Sequence, residues 1–234
     1  MKYELIATAT FGLEAVVKME LLDLGYSVVK VEDGKVTFIG DERAIVHTNM
    51  WLRTADRVYI KVAEFKAETF EELFQQVRAI GWEDYLTVDA AFPVVGTSVK
   101  STLHSVPSCQ SIIKKAIVSR LSDFYVQNHF DEAGANYRIR FSILKNHVTL
   151  LLDTSGAGLH KRGYWAADVA APMKETLAAA LVRLSFWKEG VMRRDKDNPD
   201  HVARILVDPC CGSGTILIEA AMMARNIAPG LNRK

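Results

Sequence analysis

Chemistry is densest in Asp208-Pro209-Cys210-Cys211-Gly212-Ser213-Gly214-Thr215, which lies between the apolar Ile205-Leu206-Val207 and a run opening Ile216-Leu217-Ile218-Glu219. The spacing predicts a strand over 205–207, a glycine loop, and a helix from about Thr215. That is the order in which α/β nucleotide-binding folds build their first crevice. Gly212 and Gly214 would let the backbone approach a ligand, and the helix after them would present free N–H groups. The third glycine of a dinucleotide fingerprint would fall at Leu217, and no Gly-Lys-Ser/Thr of a phosphate loop follows. Asp208, at the strand's end, would repel a phosphate but favour a ligand's ammonium group. A zwitterionic amino-acid tail fits that polarity, and S-adenosylmethionine has one. The candidate cofactor residues are therefore Asp208, Cys210, Gly212, Ser213, Gly214 and Thr215. Cys210 and Cys211 are expected to pack as small buried groups rather than to react. Thr215 is expected to cap the helix.

The elements that must position this loop are legible from periodicity. Tyr3–Thr8 reads as a strand and Leu13–Leu24 as a helix. Asp33-Gly34 marks a hairpin between Val28–Glu32 and Lys35–Ile39. Helices are expected from about Asp41 to Ala55, from a capping box at Thr69-Phe70-Glu71-Glu72 to about Ile80, and over Ile112–Gln127. Arg57–Phe65, Phe92–Val99, Arg138–Leu144 and Val148–Asp153 read as strands, and Pro172 opens a helix through Trp187. Asp195–Asp200 is a polar loop. His47, His129 and His201 are expected to be structural or exposed.

Composition narrows the class. The 234 residues are 49% hydrophobic and 24% charged, with a formal net charge of +1. That is a folded chain with material for a core. No uncharged apolar run is long enough for a membrane span. The start lacks the pattern of a signal peptide. Three cysteines, with no paired Cys/His arms, fit neither a disulfide framework nor a zinc site. A cytoplasmic protein without metal is the expectation. Charge is uneven: residues 1–100 hold 11 Lys/Arg against 16 Asp/Glu, and residues 101–165 hold 8 against 4. The middle segment therefore suits an anionic partner. Lys100, His104, Lys114, Lys115, Arg138 and Arg140 are its candidate phosphate contacts. Lys161 and Arg162, beside Gly163 and Tyr164, suit backbone neutralisation with stacking.

Three ordered segments carry a resemblance. Asp208-Pro209-Cys210-Cys211-Gly212-Ser213-Gly214-Thr215 resembles the first motif of class I S-adenosylmethionine-dependent methyltransferases acting on exocyclic base amines. Leu159-His160-Lys161-Arg162-Gly163-Tyr164 and Ala171-Pro172-Met173-Lys174-Glu175-Thr176 resemble the segment preceding that motif in THUMP-containing RNA methyltransferases. The nearest likeness is to the bacterial 23S rRNA guanine-N2 methyltransferase family, with Trp165 standing where arginine is usual. The resemblance implies an α/β chain with an α+β front half. It would have a ferredoxin-like unit over 1–50, a THUMP domain over 51–165, and the beginning of a Rossmann-like methyltransferase domain over 166–234.

It also implies S-adenosylmethionine as cofactor, with Lys174 and Glu175 added to its site, and structured RNA, 23S rRNA in particular, as partner. The family's Asn/Asp-Pro-Pro-Tyr motif does not occur; the only Asn-Pro is Asn198-Pro199. No catalytic residue is therefore assigned. A complete catalytic fold would need roughly 100–200 residues, so the chain by itself is expected to be inactive and to self-associate through uncovered apolar surface. Two other readings stay open: adenine-N6 methylation of DNA, and a non-catalytic RNA-binding module.

Overall fold

The computed structural model describes residues 2–127, 130–165, 172–185, 187 and 206–233. Ile205, the loop over Asp195–Asp200, Asn198-Pro199, His129 and His201 lie outside the described residues. The chain forms two compact units of mixed α/β structure. One comprises Met1–Val58 together with Ala157–Lys234, and the other Tyr59–Gly156. Residues 51–58 and 157–165, assigned by sequence to the middle domain, thus belong to the first unit. The reason is direct backbone pairing: the Leu159 amide donates to Asp56 O, and the Asp56 amide to Thr8 O.

In the first unit, β1 (Tyr3–Thr8), β2 (Ser27–Glu32) and β3 (Lys35–Gly40) form antiparallel pairs in the order β2-β3-β1. Helix α1 (Glu14–Asp23) buries Val16, Val17 and Leu21. Its Glu14 carboxylate accepts from the amides of Gly34 (2.7 Å) and Gly12 (2.9 Å), tying the hairpin turn to the helix start. Helix α2 spans Glu42–Trp51, with Asp41 accepting from the Ala44 amide.

That helix stops four residues short of the expected Ala55, and Glu20 shows why. Its carboxylate, on a residue only 3% exposed, accepts from the Arg53 amide (2.9 Å), the Thr54 amide (3.0 Å) and the Thr54 hydroxyl (2.7 Å). Those amides are turned toward α1 and cannot extend α2.

The later segment of this unit holds α5 and α6, described below with the candidate site. They meet through Ala179, Val182, Ala220 and Met223, with Trp187, Leu206 and Ile216 packed against them. Leu206 and Val207 are not in a strand, and Val207 is 73% exposed. The expected buried strand is therefore not formed over its described part, since a central parallel strand needs neighbours on both edges to cover it.

The second unit continues from β4 (Arg57–Lys66), with α3 (Phe70–Arg78), β5 (Val94–Val99), α4 (Val106–Tyr125), β6 (Ile139–Leu144) and β7 (His147–Asp153). Its strands run in the order β4-β7-β6-β5, with β5 parallel to β6 and the other pairs antiparallel. The parallel pair is possible because α4 makes the crossover. Helix α4 starts six residues before the expected Ile112, at a Ser105 cap with Pro107 in its first turn, and buries Cys109, Ile113, Ala116, Ile117 and Leu121. On β6, Ile139, Phe141 and Ile143 are buried while Arg140 is exposed, as the alternation requires.

Two expected outcomes follow. Glu20→Ala strands two buried amides and a hydroxyl, and should lower unfolding free energy by about 3 kcal/mol in urea titrations. The Glu14 carboxyl is held below the ordinary carboxylate range, chiefly by the Gly34 amide. A depressed pKa adds stability above the unfolded value that is lost as pH falls through the folded one. The stability gap between the native chain and Glu14→Gln should therefore be open at pH 7 and close below the carboxylate range, as read by denaturation at both pH values.

Candidate cofactor loop and its surroundings

The loop before α6 (Thr215–Ala224) folds on itself through short-range bonds. Asp208 Oδ1 accepts from the Cys210 amide (3.1 Å), and the Gly214 amide donates to Cys211 O (2.6 Å). Gly212 and Gly214 have φ of +51° and +78°, the left-handed region that favours glycine. Gly214 caps α6 without a side-chain hydrogen bond, so Thr215 is the first helical residue rather than the expected cap. A β-carbon placed at Gly214 would meet nothing within 4 Å, and no side chain caps the first amides of the helix. Cys210 and Cys211 are exposed, correcting their expected burial.

One helical turn further, α6 is gripped from behind. Glu219 and Arg162 form an ion pair whose side chains are 0% and 1% exposed, with Arg162 Nε donating to Glu219 Oε1 at 3.2 Å. The other arms of the guanidinium donate to Leu159 O (2.6 Å) and to Arg53 O. Tyr164 donates its hydroxyl to the same Glu219 oxygen at 3.3 Å. Arg53 reaches Ile227 O at 2.8 Å, beyond the end of α6. Burial pushes the Glu219 carboxyl up, opposed by the Arg162 charge. It also pushes the Tyr164 phenol well above its usual range, with the Glu219 and Glu175 carboxylates adding to the shift, so Tyr164 stays a neutral donor.

Arg162, expected to meet RNA, is thus a buried structural cation instead. All three of its nitrogens donate within the chain, and its burial closes the group to a phosphate. Lys161 beside it is exposed.

Lys174 and Glu175, expected near the cofactor, are committed elsewhere. Lys174 Nζ pairs with Asp56 (2.7 Å), and Glu175 is buried with the Trp165 indole N–H donating to it (2.8 Å). With Thr176 Oγ1 donating to Asp56 at 3.0 Å, they fasten the start of α5 (Glu175–Leu184), which begins three residues later than expected from Pro172. His160 nearby is held below the usual histidine range, mainly by burial.

In the second unit, Lys100, His104, Lys115, Arg138 and Arg140 are exposed. Arg140 is within 3.4 Å of the Tyr59 hydroxyl. Lys114 is half-buried over the Phe92 ring and pairs with Glu132 at 2.5 Å, which removes it from the free cations. Sequence reasoning passed over Glu219, Arg53, Asp56 and Glu20. Glu219 alone left a signal, as the one charge in the apolar run Ile216–Met223.

Comparison with known proteins follows the same segmentation. Residues 4–59 match the RlmL ferredoxin-like domain, residues 67–153 the THUMP domain, and residues 162–234 the RMKL-like methyltransferase domain. The chain thus carries a ferredoxin-like, a THUMP and an RMKL-like methyltransferase match, in that order. The RMKL-like segment begins at Arg162 itself, the residue that anchors α6. The chain is 53% identical over 99% of its length to "Putative RNA methyltransferase YpsC" of Bacillus subtilis (strain 168), of which it spans 57%. It superposes on a Listeria monocytogenes crystal structure described as "a predicted N6-adenine-specific DNA methylase" with a TM-score of 0.91 and 55% identity, covering all of this chain and 58% of that one. A further structure, "a putative methyltransferase complexed with SAH", gives 0.88 and 46%, with coverage of 100% and 58%.

Gly163, between Arg162 and Tyr164, has φ +78°, and a β-carbon there would lie 2.1 Å from Asn232 O. Gly163→Ala combines backbone strain with a clash against main chain. It should lower stability by about 2 kcal/mol or more in thermal or urea unfolding.

Proposed function

We propose that this chain serves S-adenosylmethionine-dependent methylation of structured RNA, with the exocyclic N2 of a guanine in 23S rRNA as the target. The observation that carries the reading is the glycine-capped opening of α6 behind Asp208, in one chain with a THUMP domain. Amides with no side-chain cap suit the carboxylate of an amino-acid tail, and the Asp208 carboxylate suits its ammonium group. The open space at Gly214 fits a ligand lying close to the backbone. When bound, the cofactor supplies an electrophilic methyl group on sulfur. The chain's own part is to hold the tail and orient it. The relative crystallised with SAH supports the cofactor class.

For RNA, the support is the THUMP match, the RNA methyltransferase name of the Bacillus relative, and exposed Arg138 and Arg140 on the second unit. The DNA adenine-N6 reading is favoured by the Listeria description alone. No helix among the described residues is long and apolar enough to cross a membrane. A cytoplasmic site of action goes with an rRNA substrate. Exposed Leu181, Leu184 and Val207 are the apolar surface through which the chain alone would self-associate.

The test is methyl transfer from labelled S-adenosylmethionine by the full-length protein, offered unmodified rRNA and duplex DNA in parallel, followed by nucleoside digestion. N2-methylguanosine from rRNA is expected; N6-methyladenosine from DNA would replace this reading with the other. In the same protein, Arg138→Ala with Arg140→Ala should weaken RNA binding and reduce the log–log salt slope by roughly 0.7–0.9 for each phosphate no longer neutralised.

A further inference from the structure

The pairing behind the loop is more elaborate than holding two helices together requires. A buried ion pair is a poor stability device, because desolvating both charges offsets most of their attraction, and apolar residues of similar volume often serve as well. Here the cost is plain. Glu219 Oε2 is buried with no hydrogen-bond partner among the described residues. What the pair offers instead is geometry.

The guanidinium is a planar fork, and its three nitrogens are pinned in three directions: to α6 through Glu219, to its own turn through Leu159 O, and to the segment after α2 through Arg53 O. Arg53 in turn is fixed at its amide by Glu20 of α1 and at its side chain by Ile227 O. Glu219 lies four residues after Thr215, on the same buried face and about 6 Å along the helix axis. A rigid helix gripped at Glu219 has its first turn fixed in rotation and height.

We propose that Arg162 and Glu219 are positioning residues for the methyl-donor loop: their buried pair, steadied by Tyr164, registers the first turn of α6 against the ferredoxin-like segment and so sets where the Gly212–Thr215 amides meet the ligand. This rests on the cofactor reading given above. It assigns to the ferredoxin-like segment a part in cofactor binding as well as in the fold.

The experiment uses the full-length protein and S-adenosylhomocysteine as the probe. Tyr164→Phe removes one hydroxyl, and Glu219→Gln keeps the side chain's shape without its charge, so both should fold where Arg162→Ala could fail. Calorimetry well below the melting temperature should show affinity about tenfold weaker for each, as a small misplacement of binding groups predicts. Glu14→Gln, which loosens the hairpin turn at Gly34 and touches none of these groups, should lower the melting temperature with affinity unchanged. Amide hydrogen exchange, which needs no ligand, should quicken across Gly212–Ile218 in the Tyr164 and Glu219 variants and not in α5. Variants that melt lower yet keep wild-type affinity and loop exchange would overturn the proposal and leave the pair a purely structural link. Failure of the unaltered protein to bind the probe would remove the cofactor reading instead, and the exchange measurement would still decide whether the pair sets the loop.

Discussion

A guanidinium and a carboxylate taken out of water must find their hydrogen bonds inside the protein, and Arg162 and Glu219 do so only where several distant segments meet. Leu159 O, Arg53 O and the Tyr164 hydroxyl have to arrive together with α6 for the pair to be tolerated. Most of the first unit depends on that condition. Both charges belong to the later segment, and the early one joins it in one compact body by supplying the Arg53 carbonyl to the guanidinium.

The same device recurs at smaller scale. Glu20 turns its carboxylate inward onto Arg53 and Thr54, and Asp56 collects Lys174 and Thr176. In each case one acidic side chain orders backbone or side-chain donors from a remote stretch of chain. Each ends or begins an element: α2 stops where Glu20 takes the amides, and α5 starts where Asp56 holds Lys174 and Thr176. Charge-assisted hydrogen bonds of this kind are directional, so they fix register where apolar packing alone would allow sliding.

The second unit uses a different economy. Its sheet is read by alternation, its helices by caps at Thr69 and Ser105, and its cations stay largely on the outside. Lys114, held by Glu132 and the Phe92 ring, Lys61, paired with Glu64, and Arg120, paired with Glu83, are half-buried instead. Exposed arginines on a strand's polar face can meet a phosphate backbone without rearranging the core. This division, acid-ordered positioning in one unit and surface cations in the other, suits the proposed function, in which a small cofactor is held in fixed geometry and a large polyanion by charge and shape.

The sequence by itself determined most of the strands and helices and the glycine loop with its polarity, because these depend on residues close together along the chain. Periodicity located β6 and its buried face, and Gly212 and Gly214 marked a loop between a strand-like run and a helix. Only the tertiary structure decided what the charged residues do. Arg162 and Glu219 are 57 positions apart and Arg53 and Ile227 are 174 apart, and no local pattern records such partners. A cation beside a glycine and a tyrosine reads equally well as an RNA-binding group or as a buried anchor; burial settles the matter, and burial is a property of the packed chain. The same holds for the end of α2, the exposed thiols and the unformed strand over Leu206–Val207. Each follows from which hydrogen-bond partners and neighbouring surfaces the rest of the chain supplies.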